Sequence, residues 1–153
     1  MDLEVLIANH QRLLGWGIQL YDDAEAAPWD DHSYLSAEEL KQPGIQASVR
    51  SATETNRLIA FVGQTEDREY FGYWLGPEGT PVAEASVVII TTESTYMAGG
   101  RTLAEALARW VYDEDFKQEL VSLGLSIGPL VSGFAEANDY RDTLFERYLA
   151  ELS

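Results

Sequence analysis

The fold of this chain is decided by residues 58–75, which read LIAFVGQTEDREYFGYWL. Two runs of β-branched and aromatic residues flank a polar segment, residues 64–69, and this pattern predicts two antiparallel strands joined by a short loop. Successive side chains of a strand point to opposite faces of the sheet. The second run therefore has one face of Tyr70, Gly72 and Trp74, and another of Phe71, Tyr73 and Leu75.

One face of this hairpin is expected to lie in the core, and the other face has two interpretations. Large amphipathic rings beside the acids of the loop would form a protein interface, because Tyr and Trp dominate the energetics of such interfaces. Alternatively, helices cover both faces, because buried aromatic residues are common in protein cores. The sequence leaves both interpretations open.

Further strands are predicted on both sides of the hairpin. Downstream, the Gly-Pro-Glu-Gly segment of residues 76–79 predicts a turn. Residues 81–85 and 86–92 are predicted strands, and the second of these is rich in β-branched residues. Upstream, residues 16–32 predict a short strand followed by a loop.

The N-terminal third is predicted to contain two helices. Leucine and isoleucine recur at helical spacing in residues 3–14, and Gly15 follows as a stop signal. Ser36 and Glu39 match the capping box that opens a helix. We expect that second helix to be short, because Pro43-Gly44 would end it. The polar residues 46–56 predict either a helical turn or a loop.

The C-terminal third is predicted to be helical throughout. Thr102 and Glu105 form a second capping box, and Asp113 or Asp115 can cap the next helix. A last helix is predicted over residues 136–152. The chain is therefore predicted to be one α+β domain, residues 1–153, with an antiparallel meander of about four to six strands. N- and C-terminal helices flank this sheet and cover it on one face.

Charge is the most unusual bulk property of the 153-residue chain. Twenty-six acidic residues against ten basic ones give a formal net charge of −16. Nucleic acids and anionic membranes are excluded as partners, because both favour basic proteins. A strong negative field speeds the encounter with a basic protein surface, whereas the simpler interpretation is that acidity maintains solubility. Both interpretations remain open.

The expected compartment is the cytoplasm. The chain opens with Met1-Asp2-Leu3-Glu4, which has two acids where a secretory signal carries basic residues. The apolar run at residues 86–90 is far shorter than the roughly 18 residues of a membrane-spanning helix. The chain also has no cysteine, which excludes disulfides, thiolate metal sites and cysteine nucleophiles.

Catalytic and metal-binding patterns are weak. Residues 124–128 match the G-x-S-x-G nucleophile elbow around Ser126, but a helix is predicted before it and both histidines, His10 and His32, lie upstream. The carboxylates of Asp22, Asp23, Asp30 and Asp31 next to His32 have no EF-hand spacing. We therefore predict no catalytic residue, no metal site and no cofactor.

Three segments between residues 34 and 112 match one family pattern in order. The hairpin of residues 58–74 is similar to that family's central hairpin, Pro81-Val82 matches its proline-valine strand, and residues 101–107 match its helix of type S-F-x-E-F-L. The chain thus resembles the SUKH superfamily, the Smi/Knr-like domains. It has residues 65–69 in place of the family's glycine-aspartate loop, and residues 113–153 are predicted to be a helical extension.

The resemblance implies a protein-binding function. Members of the superfamily are mostly bacterial immunity proteins, which bind and neutralise toxin domains that are often nucleases with basic surfaces, and other members are adaptors. The partner implied here is a basic toxin domain, neutralised by stoichiometric binding. The predicted partner-binding residues are Glu66, Asp67, Glu69, Tyr70, Tyr73, Trp74, Glu84 and Glu93. A cytoplasmic adaptor and a small hydrolase are the alternatives; the binding face and the oligomeric state stay open.

Overall fold

Five antiparallel strands form a single sheet whose spatial order follows the chain, β1-β2-β3-β4-β5. The computed structural model describes residues 2–21, 32–129 and 131–152. The strands are β1 (Gln19–Leu20), β2 (Ile59–Gln64), β3 (Tyr70–Trp74), β4 (Ser86–Ile90) and β5 (Tyr96–Gly100). The predicted α+β fold and its meander are confirmed, and the hairpin of residues 58–75 forms β2 and β3.

Six α-helices flank this sheet in the described ranges. They are α1 (Asp2–Ala8), α2 (His10–Leu14), α3 (Pro43–Asn56), α4 (Leu103–Val111), α5 (Glu114–Ser122) and α6 (Glu136–Leu152). The helix predicted over residues 3–14 is divided at Asn9, and the last helix has the predicted bounds. Thr102 and Asp113 cap α4 and α5 with their side-chain oxygens, as predicted.

Helices cover both faces of the sheet, so the prediction of a single covered face is wrong. On one face, α1, α2, α4 and α5 pack against the side chains of Val62, Phe71, Tyr73, Val87 and Ile89. On the opposite face, α6 packs against a second core of Ile59, Trp74, Val88, Ile90 and Tyr96. Helix α3 packs on α6 through Ala47, Leu144 and Tyr148.

Helix α3 was predicted only as one of two alternatives, a helical turn or a loop over residues 46–56, because its packing face is small and polar. Ala47, Ser51 and Thr55 are fully buried at intervals of four residues. Thr55 Oγ1 donates to the carbonyl of Ser51 at 2.7 Å, so that hydroxyl is satisfied within its own helix. A pattern of this kind gives no hydrophobic stripe in the sequence, although it lets two helices approach closely.

Two further predictions in this region are only partly right. The helical turn before Pro43 is short and ends at Lys41, with Gln42 extended, but Pro43 also begins α3, because its fixed φ suits the first helical position and its missing N–H would be unpaired there. The capping box of Ser36 and Glu39 forms both reciprocal hydrogen bonds, at 3.0 and 3.1 Å, but opens only the single 3₁₀ turn Glu39–Lys41.

One strand was predicted wrongly and another was missed. Residues 81–85 contain a 3₁₀ turn, Val82–Glu84, where a strand was expected. Strand β5 reads YMAGG, and its small residues have low intrinsic strand preference. It pairs with β4 because a tight turn folds the chain back, so tertiary pairing overrides propensity.

Candidate functional site

Two loops at the same end of the sheet share one turn geometry. The loops are residues 65–69, between β2 and β3, and residues 91–95, between β4 and β5. In each loop the first N–H donates to the fifth carbonyl at 2.9 Å. The fifth N–H donates to the hydroxyl of the leading threonine, at 3.3 Å for Thr65 and 3.2 Å for Thr91.

The fourth residue of each loop has left-handed backbone conformation. Arg68 and Ser94 both have φ of 62°, which costs a non-glycine residue about 1–2 kcal/mol. The N–H of each also donates to the carbonyl of the leading threonine, at 3.0 Å and 2.9 Å respectively. The same network in both loops holds this strained conformation, and both loops are therefore preorganised.

Strand register places the two loops side by side. Tyr70 pairs with Ile90, so the residues before β3 and after β4 meet at one end of the sheet. The turn before β1 also reaches this end, because a Cβ built on Gly17 would lie 2.9 Å from the carboxylate of Glu66. We call this end of the sheet, formed by residues 65–69 and 91–95, the loop edge.

The loop edge carries four carboxylates without an ionic partner. They belong to Glu66, Asp67, Glu69 and Glu93. Within the described part of the chain, none of them forms an ion pair; the five ion pairs found there use other acids. Arg68 is the one basic residue in the two loops. With four carboxylates and one guanidinium, the two loops carry a net negative charge.

A polar cleft of about 370 Å³ lies behind the two loops. Its lining includes Tyr34, Asp67, Arg68, Tyr70, Thr92 and Ser94, with Asn56 and Tyr96 among the residues from α3 and β5. Tyr34 is 77% exposed. His32 also lines the cleft, and neither of its ring nitrogens has a hydrogen-bond partner among the described residues. The cleft thus offers both donors and acceptors beside the acidic loops.

The 91–95 loop is braced from behind by α6. Arg141 donates to the carbonyl of Ser94, and its second amino group donates to Asn138 Oδ1 at 3.2 Å. The guanidinium lies 5.2 Å from the ring centre of Tyr96, a distance that permits a cation–π contact. Arg141 therefore positions the loop from behind.

The predicted aromatic residues lie in different places. Tyr70 is half-buried and lines the cleft. Tyr73 is 5% exposed and Trp74 is 9% exposed, on opposite faces of the sheet. Neither of these two side chains offers a surface of useful size to a partner at the loop edge. Both are buried because helices cover both faces, which was the second of the two interpretations left open by the sequence.

Glu84 lies apart from the other predicted acids. It belongs to the 3₁₀ turn between β3 and β4, at the opposite end of the sheet from the loop edge. Tyr34, in contrast, was missed by sequence reasoning. It is a single aromatic residue in a polar segment, and its position at the cleft arises only from tertiary packing.

The weak catalytic and metal patterns have no supporting geometry in the described residues. Ser126 is exposed in the irregular segment after α5, without the strand-turn-helix arrangement of a nucleophile elbow. Asp22, Asp23, Asp30 and Asp31 lie outside the described residues. Within the described ranges, no three potential metal ligands form a group, and no helix has the length and apolar character needed to cross a membrane.

Comparison with family models, curated proteins and solved structures found no match to this chain. The resemblance to the SUKH superfamily therefore stays a prediction.

Proposed function

We propose that this chain is a cytoplasmic protein-binding domain that docks a basic surface of its partner on the loop edge. More specifically, we propose an immunity protein that neutralises a cognate bacterial toxin by stoichiometric binding. The observation that carries the binding proposal is the set of four unpaired carboxylates on two preorganised loops. The resemblance to the SUKH superfamily supplies the toxin as the partner.

Unpaired surface carboxylates favour fast association with a basic partner. Complementary fields raise association rate constants well above the ordinary range at low salt. The bound charges would gain hydrogen bonds from arginine and lysine, and these charge-assisted bonds are roughly twice as strong as neutral ones. Glu66 and Asp67 are exposed and provide the steering charge, whereas Glu69 is half-buried and accepts from the Thr65 hydroxyl at 3.4 Å.

Preorganisation lowers the entropic cost of binding. Ordering a flexible loop consumes part of the interaction energy, and a loop already held in one conformation avoids that loss. The matched hydrogen-bond networks of the 65–69 and 91–95 loops supply this order before the partner arrives. A standard interface buries about 800 Å² on each partner, so we expect the contact to extend over Tyr34 and the rim of the cleft.

The test is a quantitative pull-down from host lysate at low and moderate salt. The baits are the wild-type chain, a loop-edge variant (Glu66→Lys, Asp67→Lys, Glu93→Lys) and a control variant (Glu4→Lys, Glu38→Lys, Glu146→Lys). Both variants change the net charge equally, and all six acids are exposed. We expect a salt-sensitive partner with a basic domain that the wild type and the control retain and the loop-edge variant loses.

The identity of the recovered partner distinguishes an immunity protein from an adaptor. A toxin domain whose growth inhibition is relieved by co-expression of this chain would support immunity. A housekeeping protein would replace the immunity proposal with an adaptor. Equal retention by the loop-edge variant and the control would refute the loop edge as the binding surface.

A further inference from the structure

A second surface feature lies at the end of the sheet opposite the loop edge. It is a groove of about 480 Å³ between the turn after β3 and the first turns of α6. Its lining includes Trp74, Glu78, Glu136, Asp139, Tyr140 and Arg147. This volume lies within the range of about 300–1,000 Å³ that is typical of ligand sites. Apart from Trp74, none of these residues belongs to the predicted binding set.

The floor of the groove is aromatic. The rings of Trp74 and Tyr140 meet edge to face, with their centres 5.7 Å apart and their planes at 61°. Tyr140 is half-buried and Trp74 is 9% exposed. Such paired rings give a rigid, apolar surface that costs a ligand little conformational entropy to contact.

The indole N–H of Trp74 has no hydrogen-bond acceptor among the described residues. Nε1 of Trp74 donates to no residue in the part of the chain that the structure describes, and it is not among the buried polar atoms that lack a partner there, so this nitrogen is accessible to solvent. A Cβ built on Gly76 would lie 3.6 Å from this nitrogen and 2.9 Å from Glu78 Oε2. This donor therefore lies beside the turn that forms one wall of the groove, where it is available to an acceptor oxygen of a ligand.

The rim of the groove carries negative charge, which favours a cationic group on the ligand. Glu78, Glu136 and Asp139 are exposed, and none of them is ion-paired within the described residues. The one base in the lining, Arg147, donates to the hydroxyl of Tyr148 at 3.2 Å. A ligand that satisfies the whole groove has an acceptor oxygen and a cation, separated by a short apolar stem.

We propose that this groove binds a basic segment of a protein partner. A main-chain carbonyl of the segment accepts from Trp74 Nε1, and an arginine side chain lies along the aromatic floor with its guanidinium at the three carboxylates. Arginine fits better than lysine, because its planar group forms paired hydrogen bonds to carboxylates and stacks on aromatic rings. The groove is separate from the loop edge, so this inference does not rest on the function proposed above.

The experiment is an NMR titration of the ¹⁵N-labelled chain with a blocked Gly-Arg-Gly tripeptide. The matched peptide has citrulline, which keeps the shape of arginine and lacks its charge. We expect the arginine peptide to saturate, to move the Trp74 indole N–H signal downfield, and to shift the amides of Glu78 and Asp139. The citrulline peptide should bind at least tenfold more weakly. A Trp74→Phe variant assigns the indole signal and should also weaken binding.

Charge variants make the test specific to the groove. The groove variant is Glu78→Gln, Glu136→Gln, Asp139→Asn, and its control is Glu114→Gln, Asp115→Asn, Glu146→Gln. Two acids in each set lie in the first turn of a helix, so the loss of helix-dipole stabilisation is matched. We expect at least tenfold weaker peptide binding by the groove variant and unchanged binding by the control.

Three results would overturn the inference. They are no saturable shift at the groove, equal binding of the two peptides, and equal loss in the groove variant and its control. Shifts confined to residues 65–69 and 91–95 are one form of the first result, and they would support the loop edge. Amide spectra of every variant establish that the fold is retained before binding is compared.

Discussion

The phenolic hydroxyl of Tyr96 donates a hydrogen bond to Asn56 Oδ1 at 2.6 Å, and both residues are buried. The main-chain N–H of Tyr96 also donates to Oδ1 of the buried Asn138, at 3.4 Å. One residue of β5 thus connects the sheet to α3 and to α6. Tyr96 directly follows the 91–95 loop, so the same bonds hold the base of the cleft at the loop edge.

We predict that Tyr96→Phe lowers the free energy of unfolding by about 1–3 kcal/mol, because it removes the donor from a buried amide oxygen. Urea denaturation would measure the change. Tyr34→Phe is the matched control, since Tyr34 is 77% exposed, and its effect should stay within about 0.5 kcal/mol. Equal effects of the two variants would contradict the structural role given to Tyr96.

We predict that Thr91→Val destabilises the chain by about 1 kcal/mol and that Thr65→Val costs less. Thr91 Oγ1 accepts from the N–H groups of Glu93 and Thr95, whereas Thr65 Oγ1 accepts from one N–H. Valine has the shape of threonine without its acceptor. Thr92→Val is the control within the same loop, because Thr92 is exposed and caps no turn. Chemical denaturation measures all three variants, and an equal loss in Thr92→Val would refute the argument.

We predict that Asp2→Ala destabilises the chain by about 0.5–2 kcal/mol, because it removes a hydrogen-bond acceptor at the start of α4. Asp2 Oδ2 accepts from the N–H of Ala104 at 3.1 Å, beside the cap that Thr102 gives to Glu105. Asp2→Asn keeps an acceptor and should lose less. Glu4→Gln, at an exposed position of the same helix, serves as the control in thermal unfolding. An unchanged midpoint for Asp2→Ala would show that the contact between α1 and α4 is energetically unimportant.

We predict that stability falls as pH rises above about 10, in part because of Tyr73. Burial raises the pKa of Tyr73 above its ordinary value of 10.0, and the charge of Asp2 raises it further. The unfolded chain therefore loses this proton at a lower pH than the folded chain. The stability that Tyr73 contributes is fully present below its pKa in the unfolded chain, and it is lost as the pH rises through its pKa in the folded chain. Tyr73→Phe should flatten this decline in denaturation curves measured from pH 9 upward, and an unchanged decline in that variant would contradict the role given to Tyr73.

Local sequence patterns were sufficient to predict the central hairpin and the last helix. Strands β2 and β3 and helix α6 lie where their residues predicted them, because hydrophobic periodicity and capping are properties of neighbouring residues. The side-chain alternation along β3 was also predicted correctly. Tyr70 and Trp74 face one core, and Phe71 and Tyr73 face the other.

The candidate site was predicted only in part. Glu66, Asp67 and Glu69 lie together because they are neighbours in one loop. Glu93 joins them because Tyr70 pairs with Ile90, a register that the residues of the two loops do not encode. Tyr34 reaches the cleft only through the packing of its segment.

By itself, the sequence determined the acidic charge, the sheet hairpin and the helical C-terminal third, since each depends on composition or on residues close together in the chain. Only the tertiary structure decided that α6 covers the second face, with α3 packed on α6, and that Tyr73 and Trp74 are buried. Helix α3 packs through alanine, serine and threonine, whose burial depends on the close approach of α6 and not on hydrophobicity. Side-chain exposure is a property of the assembled layers. The aromatic side chains of β3 are buried in these layers, and the candidate binding surface therefore lies on the two loops beside that strand.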